Sequence, residues 1–351
     1  MRPFHPAPLQ RHAAAWLLAS LLTALLLLPS AARAQATAPA QPADPQVQAL
    51  TRASDAVVGL RVEAVEGAPS TQTLGRLRRG SGVVIGDDGL VLTIGYLILE
   101  AEQVQLVLDD GRVLPARVVA YDQATGFGLV QSLTPLRLAP VPLGEARPLA
   151  AGEPMMVVSG GDGAAITVAR LVSQRRFTGY WEYQIEQALF TAPARPDHSG
   201  AGLFSQRGEL LGIGSLLVRD AMGADGPAMV GNMFVPVDLL KPILAELRTQ
   251  GRSSASRRAW LGLNCVEQAG SVQVMRLAPD SPAQAAGVQP GDRIVALDGR
   301  PVTDLASLWQ AVWAGQVERE VTLDIVRGER PTQLRLKAVD REQTLSRAKG
   351  I

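Results

Sequence analysis

Few side chains in this sequence are equipped for chemistry, and their order keeps them from working together. Three histidines occur, His5, His12 and His198, with one cysteine, Cys265. Ser199 directly follows His198 in the loop Arg195-Pro-Asp-His-Ser-Gly-Ala201. A serine hydroxyl is a weak nucleophile until a base takes its proton. In a Ser-His-Asp triad that base arrives from another part of the fold. Side chains adjacent on a tight loop diverge, so His198 is not expected to serve Ser199. A lone histidine on a polar loop is ordinarily solvent-exposed and uninvolved. The lysines, Lys241, Lys337 and Lys349, stand no better for a Ser-Lys dyad.

The N-terminal residues indicate where the chain goes. Arg2 and Arg11 precede an apolar run, Ala13 to Leu28, which ends at Ala32-Arg-Ala34. That is the pattern of a secretory signal cleaved after Ala34, and the run is short of the ~20 apolar residues of a spanning helix. Its removal takes Arg2, Arg11, Arg33, His5 and His12, leaving His198 alone and a net charge of −2. So balanced a charge gives no basic stripe for nucleic acid and no polybasic membrane patch. One cysteine allows no internal disulfide, and one histidine with one cysteine excludes the usual zinc and iron–sulfur sites. No metal and no cofactor are expected.

Residues 35–47 read as a disordered Pro/Ala/Gln tether. A polar stretch at 248–258 reads as a linker between a first domain, 48–247, and a second, 259–340, with 341–351 as a tail. In the first domain, short apolar strands flank Asp87-Asp-Gly89 and Asp109-Asp-Gly111, a strong hairpin signal. Further strands are expected at Met155–Val158, Ile166–Val172 and Leu210–Leu217, and a helix only at Val237–Leu247. Many short strands without intervening helices predict a mainly β barrel or sandwich.

Four segments in order, GSGVVIGDDGLVLT (80–93), DDGRVLPARVVAYDQATGFGLV (109–130), RPDHSGAGLF (195–204) and GNMFVPVDLL (231–240), resemble HtrA-type serine proteases. The resemblance implies a trypsin-like double β-barrel with the catalytic histidine, aspartate and serine carried by the first three segments. Against that pattern Tyr96 stands at the general-base position and Gly126 at the aspartate position. Ser199 is retained as a remnant of the nucleophile. Asp197 replaces a glycine of the oxyanion loop, where a carboxylate would oppose stabilisation of the developing negative charge. A tyrosine with its ordinary pKa near ~10 is a poor base at neutral pH. Loss of triad members typically costs about 10⁴- to 10⁶-fold in turnover.

The second domain opens with Trp260-Leu-Gly-Leu263. Ser281-Pro-Ala-Gln-Ala-Ala-Gly287 reads as a capped miniature helix, and Leu305, Leu308, Trp309 and Val312 define one amphipathic helix. The run SPAQAAGVQPGDRIVALDGRPV, 281–302, resembles a bacterial PDZ domain, a β-sandwich-like unit with two helices. That resemblance implies that Trp260, Leu261, Gly262 and Leu263 form a loop capturing a peptide's terminal carboxylate. The peptide would add as a strand beside Leu263–Val266. Leu308 and Val312 are candidates for the groove wall, while Trp309 and Trp313 are expected in the core.

The sequence therefore points to an exported, periplasmic, non-catalytic HtrA-like protein. It would bind exposed or C-terminal peptide segments through its PDZ domain as an adaptor, sensor or quality-control factor. A diverged but active serine endopeptidase of the family, and a regulatory or scaffold subunit for an active HtrA protease, are the alternatives.

Overall fold

The computed structural model describes residues 44–147 and 149–346, so the expected signal at 1–34 and residues 347–351 of the tail lie outside the described residues. The helix α1 (Pro45–Asp55) starts inside the expected tether. Asp44 caps it by accepting the Gln46 N–H at 2.8 Å, and Pro45 occupies the first turn, where no partner for an N–H is needed. Ala53 anchors it on the first barrel's core.

The apolar runs broken by Asp-Gly turns close into two six-stranded antiparallel barrels. The first consists of β1 (Val57–Ala64), β2 (Leu77–Val84), β3 (Leu90–Ile94), β4 (Ala101–Val107), β5 (Val113–Tyr121) and β6 (Phe127–Ser132). Its order is β1-β2-β3-β6-β5-β4, with the two expected hairpins pairing Val83 to Leu92 and Leu106 to Leu114. Two one-turn helices, α2 (Thr71–Leu74) and α3 (Gly95–Ile98), interrupt it. The second barrel contains β7 (Pro154–Ser159), β8 (Ala165–Thr178), β9 (Gln184–Ala192), β10 (Gly202–Phe204), β11 (Leu210–Val218) and β12 (Gly231–Pro236), in the order β10-β11-β12-β9-β8-β7. The helix expected at Val237–Leu247 is split. A 3₁₀ turn covers Val237–Leu239 and α4 runs Leu244–Gln250, because Pro242 lies between them and has no N–H to continue a helical ladder.

A third, seven-stranded sheet follows: β13 (Ala259–Trp260), β14 (Leu263–Gln268), β15 (Ser271–Leu277), β16 (Arg293–Leu297), β17 (Arg300–Pro301), β18 (Arg319–Arg327) and β19 (Arg330–Asp340). Its main order is β13-β19-β18-β16-β15-β14, which leaves β14 at one edge. Two helices cover it. Ser281 caps α5 (Pro282–Ala285), and Asp304 with Ser307 forms a reciprocal capping box on α6 (Leu305–Trp313). The C-terminal segment is not a free tail throughout. After a 3₁₀ turn at Arg341–Thr344 it returns to the first barrel, where the Ser346 N–H donates to Glu100 at 2.7 Å.

One buried arginine sets the position of α3. Arg78 on β2 donates to the carbonyls of Gly75 (3.0 Å), Tyr96 (2.9 Å) and Leu99 (2.6 Å), and to Ser70 Oγ (2.7 Å). Replacing it by methionine keeps the apolar stem and leaves those acceptors unserved. Arg78→Met is expected to lower stability by about 2–4 kcal/mol. Urea denaturation checks this, and an unchanged midpoint would contradict it.

Candidate functional site

Helix α3 carries Tyr96 to the seam between the barrels, opposite Ser199. Their hydroxyls are 2.7 Å apart, and Tyr96 Oη also lies 2.9 Å from the Ser215 carbonyl. A carbonyl only accepts, so the single phenolic proton goes to Ser215 and Ser199 Oγ–H donates to Tyr96. The serine proton is thus held by an oxygen that has no use for it. Burial pushes the Tyr96 hydroxyl up to about 12, with the bond to Ser199 acting the other way. A neutral phenol in this position is a poor base for Ser199. The Ser199 loop is itself fixed, since its carbonyl accepts the Ser81 N–H (2.9 Å) and the Gly200 N–H donates to Gly214 (2.9 Å).

Gly126 lies beside this pair, its carbonyl accepting the Gly95 N–H at 2.7 Å. Its φ is +77°, a region that side chains rarely adopt. A Cβ there would stand 2.8 Å from Tyr183 Oη, which donates to the Thr125 carbonyl at 2.8 Å. A side chain at this point would strain the backbone and crowd Tyr183 Oη.

Asp197 does not aim at the space in front of Ser199. Its carboxylate is paired with Arg195, Nε to Oδ1 at 3.0 Å, and also meets Ser159 Oγ. Burial acts to raise its pKa, but the bonds from Arg195 and Ser159 prevail and hold it below the ordinary value. The carboxylate expected to oppose an oxyanion is thus ion-paired with Arg195. His198 is half-buried rather than free in solvent. Its Nδ1 lies 3.0 Å from the Arg195 carbonyl, burial lowers its pKa, and among the described residues no hydrogen bond joins it to Ser199.

The loop opening the third sheet is occupied. Glu182, from the tip of the β8–β9 hairpin, is 7% exposed and accepts three backbone N–H groups. They are Gly262 at 2.7 Å, Leu263 at 3.0 Å and Leu261 at 3.1 Å. Only glycine fits the centre of this loop: Gly262 has φ +83°, and a Cβ would meet Ser281 Cβ at 2.2 Å. Trp260 is buried under the Arg341 guanidinium, 4.1 Å over its ring. Ahead of Glu182, the Tyr180 carbonyl accepts the Cys265 N–H at 2.6 Å, and Trp181 forms an antiparallel bridge with Asn264 of β14. Leu308 and Val312, expected in the groove wall, are fully buried in the core of the third sheet. They lie on the inward stripe of α6. The helix residue that reaches the occupying segment is Trp309, which is buried in the core as expected and whose Nε1 also donates to the Gly179 carbonyl at 3.0 Å. A cavity of about 610 Å³ runs between this loop and the barrel seam, bordered by Tyr96, Gly126, His198, Glu182 and Gly262.

Two closed barrels meeting at a serine, followed by a sheet whose first loop holds a carboxylate on backbone N–H groups, define a trypsin-like fold followed by a PDZ-like sheet. The profile of the trypsin-like peptidase domain matches residues 80–213, and that of the PDZ domain residues 259–338. The chain carries a trypsin-like peptidase domain plus one PDZ domain, and its homologues are named DegP/HtrA serine proteases. The putative serine protease HhoA of Synechocystis sp. is 28% identical over 73% of this chain and 69% of its own. Periplasmic serine endoprotease DegP of Escherichia coli is 26% identical over 74% of this chain and 56% of its own, so this chain spans little more than half of DegP. Among solved structures, the HtrA-type protease AlgW with a decapeptide superposes with a TM-score of 0.52 at 22% identity, over 84% of this chain and 98% of that one. The serine endoprotease from Yersinia pestis gives 0.52 at 23% identity, over 85% and 98%.

Removal of Glu182 from water pushes its carboxyl up to about 7, against the pull of the three N–H groups and of Arg341. The other titratable group facing it is the Cys265 thiol, itself pushed far up by burial and by the Glu182 charge. A carboxyl that holds its proton more tightly when docked supports docking fully below its ordinary value of 4.5, and that support is lost as pH rises through about 7. The stability of the wild type relative to Glu182→Gln is therefore expected to fall by about 2–3 kcal/mol between about pH 5 and pH 8. Chemical denaturation of both proteins measures this, and a difference independent of pH would refute it.

Proposed function

We propose that this protein is a non-catalytic, HtrA-like envelope protein, exported to the periplasm, that binds exposed or C-terminal peptide segments through its PDZ domain. The observation that carries the first part is the Tyr96–Ser199 pair. Tyr96 occupies the place of the general base, with its own proton committed to Ser215 and its hydroxyl pushed up to about 12. Gly126 occupies the place of the orienting aspartate, with the space beside it filled by Tyr183. Ser199 is then a remnant nucleophile, kept because its loop stitches the barrels together.

The second part rests on the Leu261–Leu263 N–H groups, which hold a carboxylate in a loop whose central residue is confined to glycine. Such a loop beside an edge strand is the arrangement that captures a peptide terminus by strand addition. The role in the envelope is that of an adaptor, sensor or quality-control factor rather than a protease. The relatives named as proteases favour a second reading, a diverged but active endopeptidase.

A serine-directed fluorophosphonate probe separates the two. Wild-type protein is expected to label no more than Ser199→Ala and to leave casein intact, a deficit of at least about 10⁴-fold against an active triad. Labelling and casein cleavage that both disappear in Ser199→Ala would establish the endopeptidase instead.

A further inference from the structure

The role of the β8–β9 hairpin tip rests on the peptide-binding reading and deepens it. Strand β14 is an edge strand, and an edge presents unpaired N–H and C=O groups to any strand that can reach it. Here the reaching strand belongs to the same chain. Residues Gly179–Glu182 run antiparallel along β14, with Trp181 bridged to Asn264 and the Cys265 N–H donating to Tyr180 at 2.6 Å. Trp309 of α6 closes over the segment through the Gly179 carbonyl. At the end of the run the Glu182 side chain lays its carboxylate on the three N–H groups of Leu261–Leu263. The main chain continues into Tyr183, so a side-chain carboxylate stands where a ligand would present its terminal one.

We propose that the Gly179–Glu182 tip is a built-in competing ligand of the PDZ groove, so that the partner it admits is an extended chain whose free C-terminal carboxylate displaces Glu182. The competitor carries aromatic residues, Tyr180 and Trp181, immediately before its carboxylate. Trp181 stacks on Tyr183 with ring centroids 5.5 Å apart and planes 7° from parallel. Tyr183 in turn fills the space at Gly126. The tip is one piece: its Glu182 closes the peptide groove and its Tyr183 plugs the protease-like seam, and expulsion of one end loosens the other.

Fluorescence anisotropy on the full chain tests this with a dye-labelled peptide ending Gly-Tyr-Trp-Leu, in its free-acid and C-terminal amide forms. A groove closed by its own segment weakens apparent affinity by the fraction of molecules left open. Glu182→Ala is expected to bind the free acid at least about tenfold more tightly than the wild type, and the amide at least about tenfold more weakly than the acid. Glu182→Gln, which keeps the volume of the side chain, is expected to fall between the two and serves if the alanine variant does not unfold cooperatively. Equal affinity of all three proteins for the free acid would overturn the competitor while leaving peptide binding intact. No binding by any of them, or no preference for acid over amide, would overturn the peptide-binding reading and the competitor with it.

Discussion

A carboxylate withdrawn from water keeps its place only where donors replace its hydration. Glu182 meets that condition in a loop of three converging backbone N–H groups, with Arg341 adding the sign of charge it needs. Much of the arrangement depends on this contact. It sets the tip of the β8–β9 hairpin against β14 and presses Trp181 and Tyr183 together. It also places the Tyr183 hydroxyl at Gly126. The charge-assisted bonds are strong, but burial of the carboxyl opposes them, so the contact is balanced rather than locked.

The seam around Ser199 has its own logic. Tyr183 is buried and Tyr96 and Tyr121 are half-buried, and burial opposes ionisation of all three phenols, so these hydroxyls donate and accept but are weak bases. A catalytic serine needs the reverse: a base that gains charge and a partner that steadies it. Arg195 meanwhile ties Asp197 and Ser159 into one cluster, which stiffens the loop while keeping its carboxylate neutralised. These bonds make the loop a structural element joining two barrels.

Asp-Gly turns and apolar runs are local signals, so a mainly β first domain was legible from them, and each hairpin they announced is present. The division into two barrels and the third sheet came from the family resemblances. The capped helices α5 and α6 were legible from local signals as well. Helix α1 was masked by its Pro- and Ala-rich flank, although Asp44-Pro45 is a helix start. Gly126 read as a missing aspartate, but its positive φ and its contact with Tyr183 belong to tertiary structure. Glu182 carried no signal at all. It sits in an aromatic stretch some 80 residues before the loop it fills, and nothing local distinguishes it from a surface glutamate. Leu308 and Trp309 illustrate the same limit: helical periodicity marks the apolar stripe without saying which residue at its margin meets another segment.

One exchange is central to how this protein would work, a foreign carboxylate for Glu182 at the Leu261–Leu263 N–H groups. Amide hydrogen exchange on the full chain, with and without a saturating free-acid peptide, tracks it directly. The expected result is continued protection of residues 261–263 together with loss of protection across Gly179–Tyr183, because the loop stays filled while the tip is released. Bound peptide with the tip still protected would contradict the exchange.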